Sequence, residues 1–256
     1  MEILSQHLPS GGYGYSFPSI NIKPMTYLEI VGYLESVPSD KLSKYLFDIR
    51  WVGADDPNVY NCYIMDLDYL IFMKKLITIS KDLVMNISVE CPHCHKKIEG
   101  QVKINDIMFK AADNAVMEGA VVTINGSEYN IKPPTVREFE KVFQKYLKYR
   151  KVEDLDTIKL ISLVQEFDTN PNRIEDTIVN ASHEDITMLM ALKDLYFDRV
   201  EPIKLSCPNC NKNKSEKERR YQTVRVNDLI VDFFREIINN NRITGDKIKF
   251  KQARLF

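Results

Sequence analysis

The sequence has little of what catalysis or membrane insertion would need. Its histidines are few and lie in no recognisable acid–base arrangement. The most apolar stretch, 69–79, contains Lys74 and Lys75, so no segment reaches the roughly 20 apolar residues that span a bilayer. The start of the chain lacks a basic segment and a long apolar run, so we expect no signal peptide and no membrane partner. The four histidines are His7, His93, His95 and His183.

The sequence also lacks an excess of charge of either sign. Lys plus Arg number 35 and Asp plus Glu number 36, which gives a net charge of −1. This balance argues against nucleic acid as the main partner, although a local basic patch is still open. With 256 residues, 44% of them hydrophobic, the chain is long enough for one large domain or two small ones with a real core.

The remaining catalytic candidates have simpler explanations. The paired carboxylates Asp55-Asp56 and Asp66/Asp68 fit loop charge and helix capping. The segment 11–14, Gly-Gly-Tyr-Gly, lacks both the lysine and the preceding strand of a phosphate-binding loop. We therefore expect no enzymatic activity and no small-molecule substrate.

The chain does have two matched cysteine pairs. The motif CPxC occurs at 91–94 and again at 207–210, and the first cysteine of the second pair comes 113 positions after the second cysteine of the first pair. A compact zinc ribbon keeps its pairs only about 15–20 residues apart. Two CxxC turns complete a four-thiolate shell for one zinc ion, and a closed shell of this kind is structural. The predicted ligands are Cys91, Cys94, Cys207 and Cys210.

Other interpretations of these cysteines are open. A local site could use two cysteines with His93 or His95, but the second pair has asparagines at those positions, which breaks the symmetry. The turns could also hold no metal. A thioredoxin-like redox role fits poorly, because neither motif begins a helix in a βαβ setting. The fifth cysteine, Cys62, lies in an apolar run and is expected to be a small buried side chain.

The two halves of the chain resemble each other, which predicts a tandem duplication. Four blocks recur in the same order with offsets between 109 and 122 residues, and the cysteine pairs recur at 116. Convergent use of common elements would explain the apolar pattern, but not the recurrence of Asn-Ile-Lys-Pro or of Asn-Asp after each cysteine pair. The other matched blocks begin at Asn21 and Asn130, at Leu70 and Leu189, and at Val102 and Val224.

Each repeat is predicted to combine helices with short strands. Thr26 with Glu29, and Thr135 with Glu138, form the capping-box pattern at the start of helices 27–36 and 136–149. Asn125-Gly126 predicts a hairpin within 120–131. Further helices are expected at 66–77, 184–195 and 229–239, and strands at 84–89, 101–107, 202–205 and 223–230.

These elements give an α+β fold made of two repeats, each with a CPxC zinc knuckle, joined at one four-cysteine site. The predicted organisation is an N-terminal arm at 1–19, a first repeat at 20–115, a second repeat at 116–240 and a basic C-terminal tail at 241–256. The tail mixes lysines with Phe250 and Phe256, which could pack on a neighbouring subunit. The basic run 212–220 is either a solvated loop or a contact for an acidic partner or nucleic acid.

The N-terminal arm is rich in glycine and tyrosine and is not helical. Such an arm laces onto a partner or onto the core of its own chain. The residues Leu8, Pro9, Ser10, Gly12 and Tyr15 form an LPSxGxxY sequence. That sequence, followed by a mostly helical stretch and a CPxC motif, resembles the start of T4-type bacteriophage baseplate hub proteins. The resemblance covers about 8–107, and the second repeat departs from it.

The resemblance implies a structural or assembly protein of a contractile phage tail, located in the virion baseplate and assembled in the host cytoplasm. It implies other baseplate and tail proteins as partners, with Leu8, Pro9, Ser10, Gly12 and Tyr15 of the arm as candidate contacts. Phe250 and Phe256 of the tail are further candidates on their residue types alone. The alternative is a zinc-ribbon protein that binds nucleic acid or regulates another protein.

Overall fold

The computed structural model describes residues 1–36, 41–79, 84–103, 107–149, 155–164, 177, 180–197, 199–201, 203–212 and 221–224. The chain divides into two compact units. The first unit comprises 1–24, 37–81 and 107–201, and the second comprises 25–36, 82–106 and 202–256. The α+β class is confirmed, because helices and small antiparallel sheets alternate along the chain.

The first unit is mainly helical. Its helices pack pairwise around a buried apolar core that includes Ile49, Leu70, Phe139, Ile161 and Leu189. Two antiparallel pairs of strands, β1 with β2 and β5 with β6, flank this core. The elements are β1 Glu2–Leu4, β2 Ser19–Asn21, α2 Lys41–Gly53, α3 Ile64–Ile79, α4 Asn114–Glu118, β5 Ala120–Ile124, β6 Ser127–Ile131, α5 Val136–Tyr149, α6 Leu155–Leu163 and α7 His183–Phe197, with short 3-10 helices at Ser5–His7 and Pro57–Asn61.

The described part of the second unit consists of one helix and two β-hairpins. Helix α1 spans Tyr27–Ser36. The first hairpin pairs β3, Val84–Glu90, with β4, Lys97–Lys103, in an antiparallel ladder. The second hairpin pairs β7, Ile203–Ser206, with β8, Tyr221–Val224. Each hairpin carries one CPxC motif in the connection between its two strands.

Both predicted capping boxes are present. The amide of Glu29 donates to Oγ1 of Thr26 (3.3 Å), and the amide of Thr26 donates to Oε2 of Glu29 (2.6 Å). The same reciprocal pair joins Thr135 and Glu138, at 3.2 and 2.8 Å. These bonds satisfy amides that would have no partner at a helix start, so α1 and α5 begin where the sequence predicts.

The predicted hairpin at 120–131 is also confirmed. Asn125 and Gly126 both have positive φ angles, 51° and 76°, as a tight two-residue turn requires.

Cys62 is fully buried in the apolar core, as expected. Three buried lysines were not anticipated. Lys74 pairs with Asp55 (2.5 Å), Lys75 with Asp48 (3.5 Å) and Lys193 with Asp156 (2.9 Å), which supplies each ammonium group with a carboxylate.

Some predicted boundaries were wrong. The strand expected at 101–107 begins at Lys97, because the preceding turn closes within six residues: the amide of Cys91 donates to the carbonyl of Lys96 (2.9 Å). Likewise β8 begins at Tyr221 rather than 223.

The two compact units do not follow the repeat boundaries 20–115 and 116–240. Each unit takes chain from both predicted repeats, and the first unit also contains the whole arm 1–19. The two CPxC hairpins, one from each predicted repeat, both belong to the second unit. The predicted helix 229–239 and the tail 241–256 lie outside the described residues. Among the helices that the structure describes, none is both long and apolar enough to cross a membrane.

Candidate functional site

The two hairpins bring the four predicted cysteine ligands together. In the first turn, the amide of His95 donates to the carbonyl of Cys91 (2.9 Å). In the second, the amide of Asn211 donates to the carbonyl of Cys207 in the same way (3.1 Å). Each turn thereby folds its two cysteines toward one side of its own hairpin. Sequence-matched positions, 95 and 211, thus make the same backbone bond.

The sulfur geometry fits a tetrahedral metal ion. All four sulfurs lie within 4.8 Å of one another. Across the hairpins, the Sγ atoms of Cys91 and Cys210 are 3.8 Å apart and those of Cys94 and Cys207 are 3.6 Å apart. Zinc–sulfur bonds of about 2.3 Å in a tetrahedron place sulfurs about 3.8 Å apart. The observed spacing is therefore that of a four-thiolate shell.

The pattern of the close sulfur pairs is itself symmetric. In each pair, the first cysteine of one motif faces the second cysteine of the other. Exchanging the two hairpins converts the pair Cys91/Cys210 into the pair Cys207/Cys94. The two distances, 3.8 and 3.6 Å, are therefore equivalent under a local twofold exchange.

One side of the cluster is apolar. Cys91 and Cys207 are buried and pack in a small core with Ile87, Ile98 and Leu205. Cys94 and Cys210 are partly exposed at its edge. This arrangement shields two of the sulfurs from water, which favours a stable closed metal shell over exchange with solvent ligands.

The hairpins also approach each other closely at Gly100. A Cβ atom at this position would lie only 2.6 Å from Cδ2 of Leu205, so strand β4 presents bare backbone to β7. Nearer the turns, Nζ of Lys96 donates to Oδ1 of Asn209 at 3.4 Å. These contacts supplement the sulfur cluster as links between the two hairpins.

The thiols of the cluster differ in acidity. Amides of Cys94 and His93 that donate to the Cys91 sulfur lower the pKa of that thiol. The amide of Lys96 lowers the pKa of Cys94 to about 6. Hydrogen bonding to the Cys94 sulfur raises the pKa of Cys210 to about 12. Neighbouring sulfurs thus share protons, and a cation at the centre would stabilise all four as thiolates.

The rival site with histidine is not supported by the geometry. Within the described part of the chain, the cluster with metal-ligand spacing contains four cysteines and neither His93 nor His95. Nδ1 of His95 instead contacts Oε1 of Glu90 (2.8 Å) on the exposed side of the hairpin. The residues present fit a single zinc ion, and Cys91, Cys94, Cys207 and Cys210 would hold it.

The LPSxGxxY segment lies against its own chain. Leu8 and Ser10 are each only 3% exposed, and Leu8 belongs to the core of the first unit. The amide of Ser10 donates to Oδ1 of Asp66 (2.8 Å), and its hydroxyl donates to Oδ2 (2.6 Å). The carbonyl of Pro9 accepts from the amide of Ala112 (2.7 Å). These contacts anchor the segment to the core of its own chain.

The spacing of Gly12 and Tyr15 in this segment has a steric and a polar reason. Gly12 has a φ of +72°, and a Cβ there would lie 2.9 Å from the backbone carbon of Ser5. The Tyr15 hydroxyl donates to Oδ2 of Asp66 and accepts from the amide of Tyr63, the latter at 2.6 Å. Gly12 therefore permits a close backbone approach, and Tyr15 bridges a carboxylate and a strand-like segment near the start of α3.

The sequence did not reveal that Asp66 is the residue to which the N-terminal segment binds. It was expected to be a capping acid, but it is fully buried and receives both Ser10 and Tyr15. Burial raises its pKa to about 6, even though the bonds from Ser10 and Tyr15 act in the opposite direction. Its one sequence signal was an acid placed inside the otherwise apolar start of helix α3.

Of the other predicted contact residues, Phe250 and Phe256 lie outside the described residues. Comparison with protein-family models, curated proteins and solved structures gives no match to this chain. Function is therefore argued from the two motifs and the geometry of their residues.

Proposed function

We propose that this protein is a structural or assembly component of the baseplate hub of a contractile phage tail. On this proposal it binds other baseplate and tail proteins, resides in the virion after assembly in the host cytoplasm, and has no catalytic role. The observation that carries the proposal is the LPSxGxxY sequence at 8–15, followed at 91–94 by a CPxC motif. These two motifs, in this order, are those of the family that the chain resembles.

The contacts of the first motif support a structural purpose for its residues. Leu8 contributes to the core, Ser10 and Tyr15 bind Asp66, and Gly12 allows the backbone to approach Ser5. Residues with these contacts hold the N-terminal segment in place and supply no reactive group. The partner contacts predicted for these same residues stay a prediction.

The second part of the proposal is one structural zinc ion per chain. Sulfur spacings of 3.6 and 3.8 Å, a buried apolar side and amide donors to the sulfurs support it. A shell of four thiolates leaves no open coordination position, so the ion would hold the hairpins together and activate no water. Metal analysis should give one zinc per chain, and a value of two or of none would contradict it.

The third part is a tandem duplication with one zinc knuckle in each repeat. Capping boxes at Thr26 and Thr135, and matching backbone bonds at 95 and 211, support it. The symmetric sulfur pairs are what two related half-sites would produce about a local twofold axis. On this proposal the long gap between the CPxC motifs is simply the length of one repeat.

The functional proposal is tested by locating the protein in particles. The source lysate of assembling phage is fractionated, and antibodies against this chain are used on intact tails and on purified baseplates. We expect the protein to co-sediment with baseplates or their hub intermediates and to label the tail end distal to the head. A protein that is found only in tail-free soluble fractions throughout assembly would overturn the proposal.

A nucleic-acid-binding zinc protein is the second candidate, favoured by exposed lysines on the hairpins. Lys96, Lys97, Lys103, Lys204 and Lys212 are all exposed. Binding to DNA or RNA that weakens steeply as salt increases would support this candidate. Absence of binding at low salt, together with co-sedimentation with baseplates, would exclude it in favour of the hub proposal.

A further inference from the structure

The two hairpins meet as separate bodies. Each strand pairs only with its own hairpin partner, so within the described residues no backbone ladder joins β3 and β4 to β7 and β8. Within the described residues, the hairpins are linked by the sulfur cluster, the small apolar core that Ile87 and Ile98 share with Leu205, the Lys96–Asn209 bond and the close approach of Gly100 to Leu205. The interface therefore consists of side chains and one glycine backbone, as in contacts between two different chains.

The chain connection between the hairpins plays no part in these contacts. It runs from 104 to 202, and none of the four ligands or the packing residues Ile98, Gly100 and Leu205 lies within it. The geometry of the cluster depends on one hairpin of each kind being present. It does not depend on both hairpins belonging to one polypeptide.

We propose that the face of the first hairpin formed by Cys91, Cys94, Ile98 and Gly100 is a docking surface for the second hairpin of another copy of this chain. The occupant is the β7–β8 hairpin with Cys207, Cys210 and Leu205. The exchanged centre has the same four thiolates and the same apolar contacts as the centre within one chain. This inference rests on the proposed four-thiolate metal site.

Two physical terms decide between the two arrangements. A hairpin on the same chain is tethered and meets its partner in an intramolecular step, so an isolated copy closes its own centre. Copies held side by side offer a comparable local concentration of second hairpins. A half-site alone is incomplete, because two thiolates leave the ion open to solvent ligands. Exchange of the second hairpin between copies therefore links them where an assembly concentrates them, and where substitutions have removed the cysteines of one hairpin.

The test uses two full-length variants that each lack one half-site. One carries Cys91→Ser with Cys94→Ser, and the other carries Cys207→Ser with Cys210→Ser. Neither can assemble four thiolates within its own chain. On mixing in equal amounts with Co²⁺, we expect the visible absorption of tetrahedral four-thiolate cobalt, and a mixed dimer with one metal per two chains by native mass spectrometry.

Controls separate this inference from the metal proposal. Wild-type protein that shows no four-thiolate cobalt spectrum would contradict the metal site itself. A wild-type protein with that spectrum, combined with a mixture that stays monomeric and spectrally blank, overturns the exchange alone. Each variant is also measured by itself, and the mixed dimer must exceed both of these baselines, since a dimer of one variant alone does not use the proposed surface.

A further variant tests whether the mixed dimer uses the proposed face. Gly100→Leu is added to the variant that lacks Cys207 and Cys210, so the ligands of its first hairpin are unchanged. The new side chain would occupy the space of Leu205 on the other copy, and overpacking of this kind weakens an interface roughly tenfold or more. A mixed dimer that forms with unchanged affinity would show that the chains associate elsewhere.

Discussion

The Tyr15 hydroxyl has two partners, so its removal gives the clearest test of how the N-terminal segment is held. It donates to the buried carboxylate of Asp66 and accepts from the amide of Tyr63 at 2.6 Å. Tyr15→Phe removes both bonds and keeps the ring, which stacks on Phe17 and Tyr63 with centroids 4.6 and 5.4 Å away. The substitution thus removes two hydrogen bonds and changes the packing of the ring little.

The expected magnitude follows from the two bonds. A hydrogen bond to a charged group contributes about 1.5–3 kcal/mol, and a buried amide left without a partner costs about 1–3 kcal/mol. We therefore expect Tyr15→Phe to lower the free energy of unfolding by about 3–5 kcal/mol, a large share of the typical total for a domain of about 5–15 kcal/mol. Ser10→Ala should cost less, because the Ser10 amide still donates to Asp66.

The assay is urea unfolding followed by tryptophan fluorescence. Trp51 is the single tryptophan and lies in helix α2 of the same unit as Tyr15, so its signal reports that unit. Tyr13→Phe is the matched control, since Tyr13 is 37% exposed and such surface changes stay within about 0.5 kcal/mol. A loss below about 1 kcal/mol for Tyr15→Phe would refute the reasoning that this hydroxyl fastens the segment.

Three further predictions follow from the structure. Cys207→Ser should abolish stoichiometric zinc and lower the melting temperature of the hairpins, and full zinc content with unchanged melting would contradict the shared site. Gly12→Ala should destabilise the protein by more than the roughly 1–2 kcal/mol that a positive φ alone costs, because the new Cβ would lie 2.9 Å from the Ser5 backbone. Gly11→Ala is the matched control, since Gly11 also has a positive φ (+65°) but a Cβ there would have no atom within 4 Å. Equal urea midpoints for the two alanine variants would show that the close approach is not costly. Asp66 binds a proton more tightly in the folded state, where its pKa is about 6, than in the unfolded state, where its pKa is about 3.9. Its contribution to stability is therefore most favourable at low pH and falls by about 3 kcal/mol in total between pH values well below 4 and pH values well above 6. Asp66→Asn should remove that component of the pH dependence in urea titrations, and an unchanged profile would assign it to other groups.

The local features of the fold could be predicted because they depend on neighbouring residues. Thr26 with Glu29, and Thr135 with Glu138, cap helices whose first residues need side-chain acceptors. Asn125 and Gly126 tolerate the positive φ angles of a two-residue turn. The four cysteine ligands were predictable because CxxC spacing places two sulfurs on one side of a turn, and the structure confirms that all four meet.

Features that depend on distant residues were not predictable in the same way. Asp66 looks like any acid near a helix start, and only the folded chain shows that it receives Ser10 and Tyr15 from more than 50 residues away. Lys74 and Lys193 interrupt apolar runs and would be expected at the surface, but each is buried against a carboxylate. Their burial depends on where Asp55 and Asp156 lie in space.

The sequence by itself determined the α+β class, the capped helix starts, the 120–131 hairpin and the cysteine pairs, because short-range spacing encodes each of them. Tertiary structure alone decided which sulfur faces which, with Cys91 opposite Cys210 and Cys94 opposite Cys207. It also decided that each compact unit takes chain from both halves of the sequence. The physical reason is that hydrophobic burial is non-directional along the chain, so it groups like surfaces regardless of how many residues separate them.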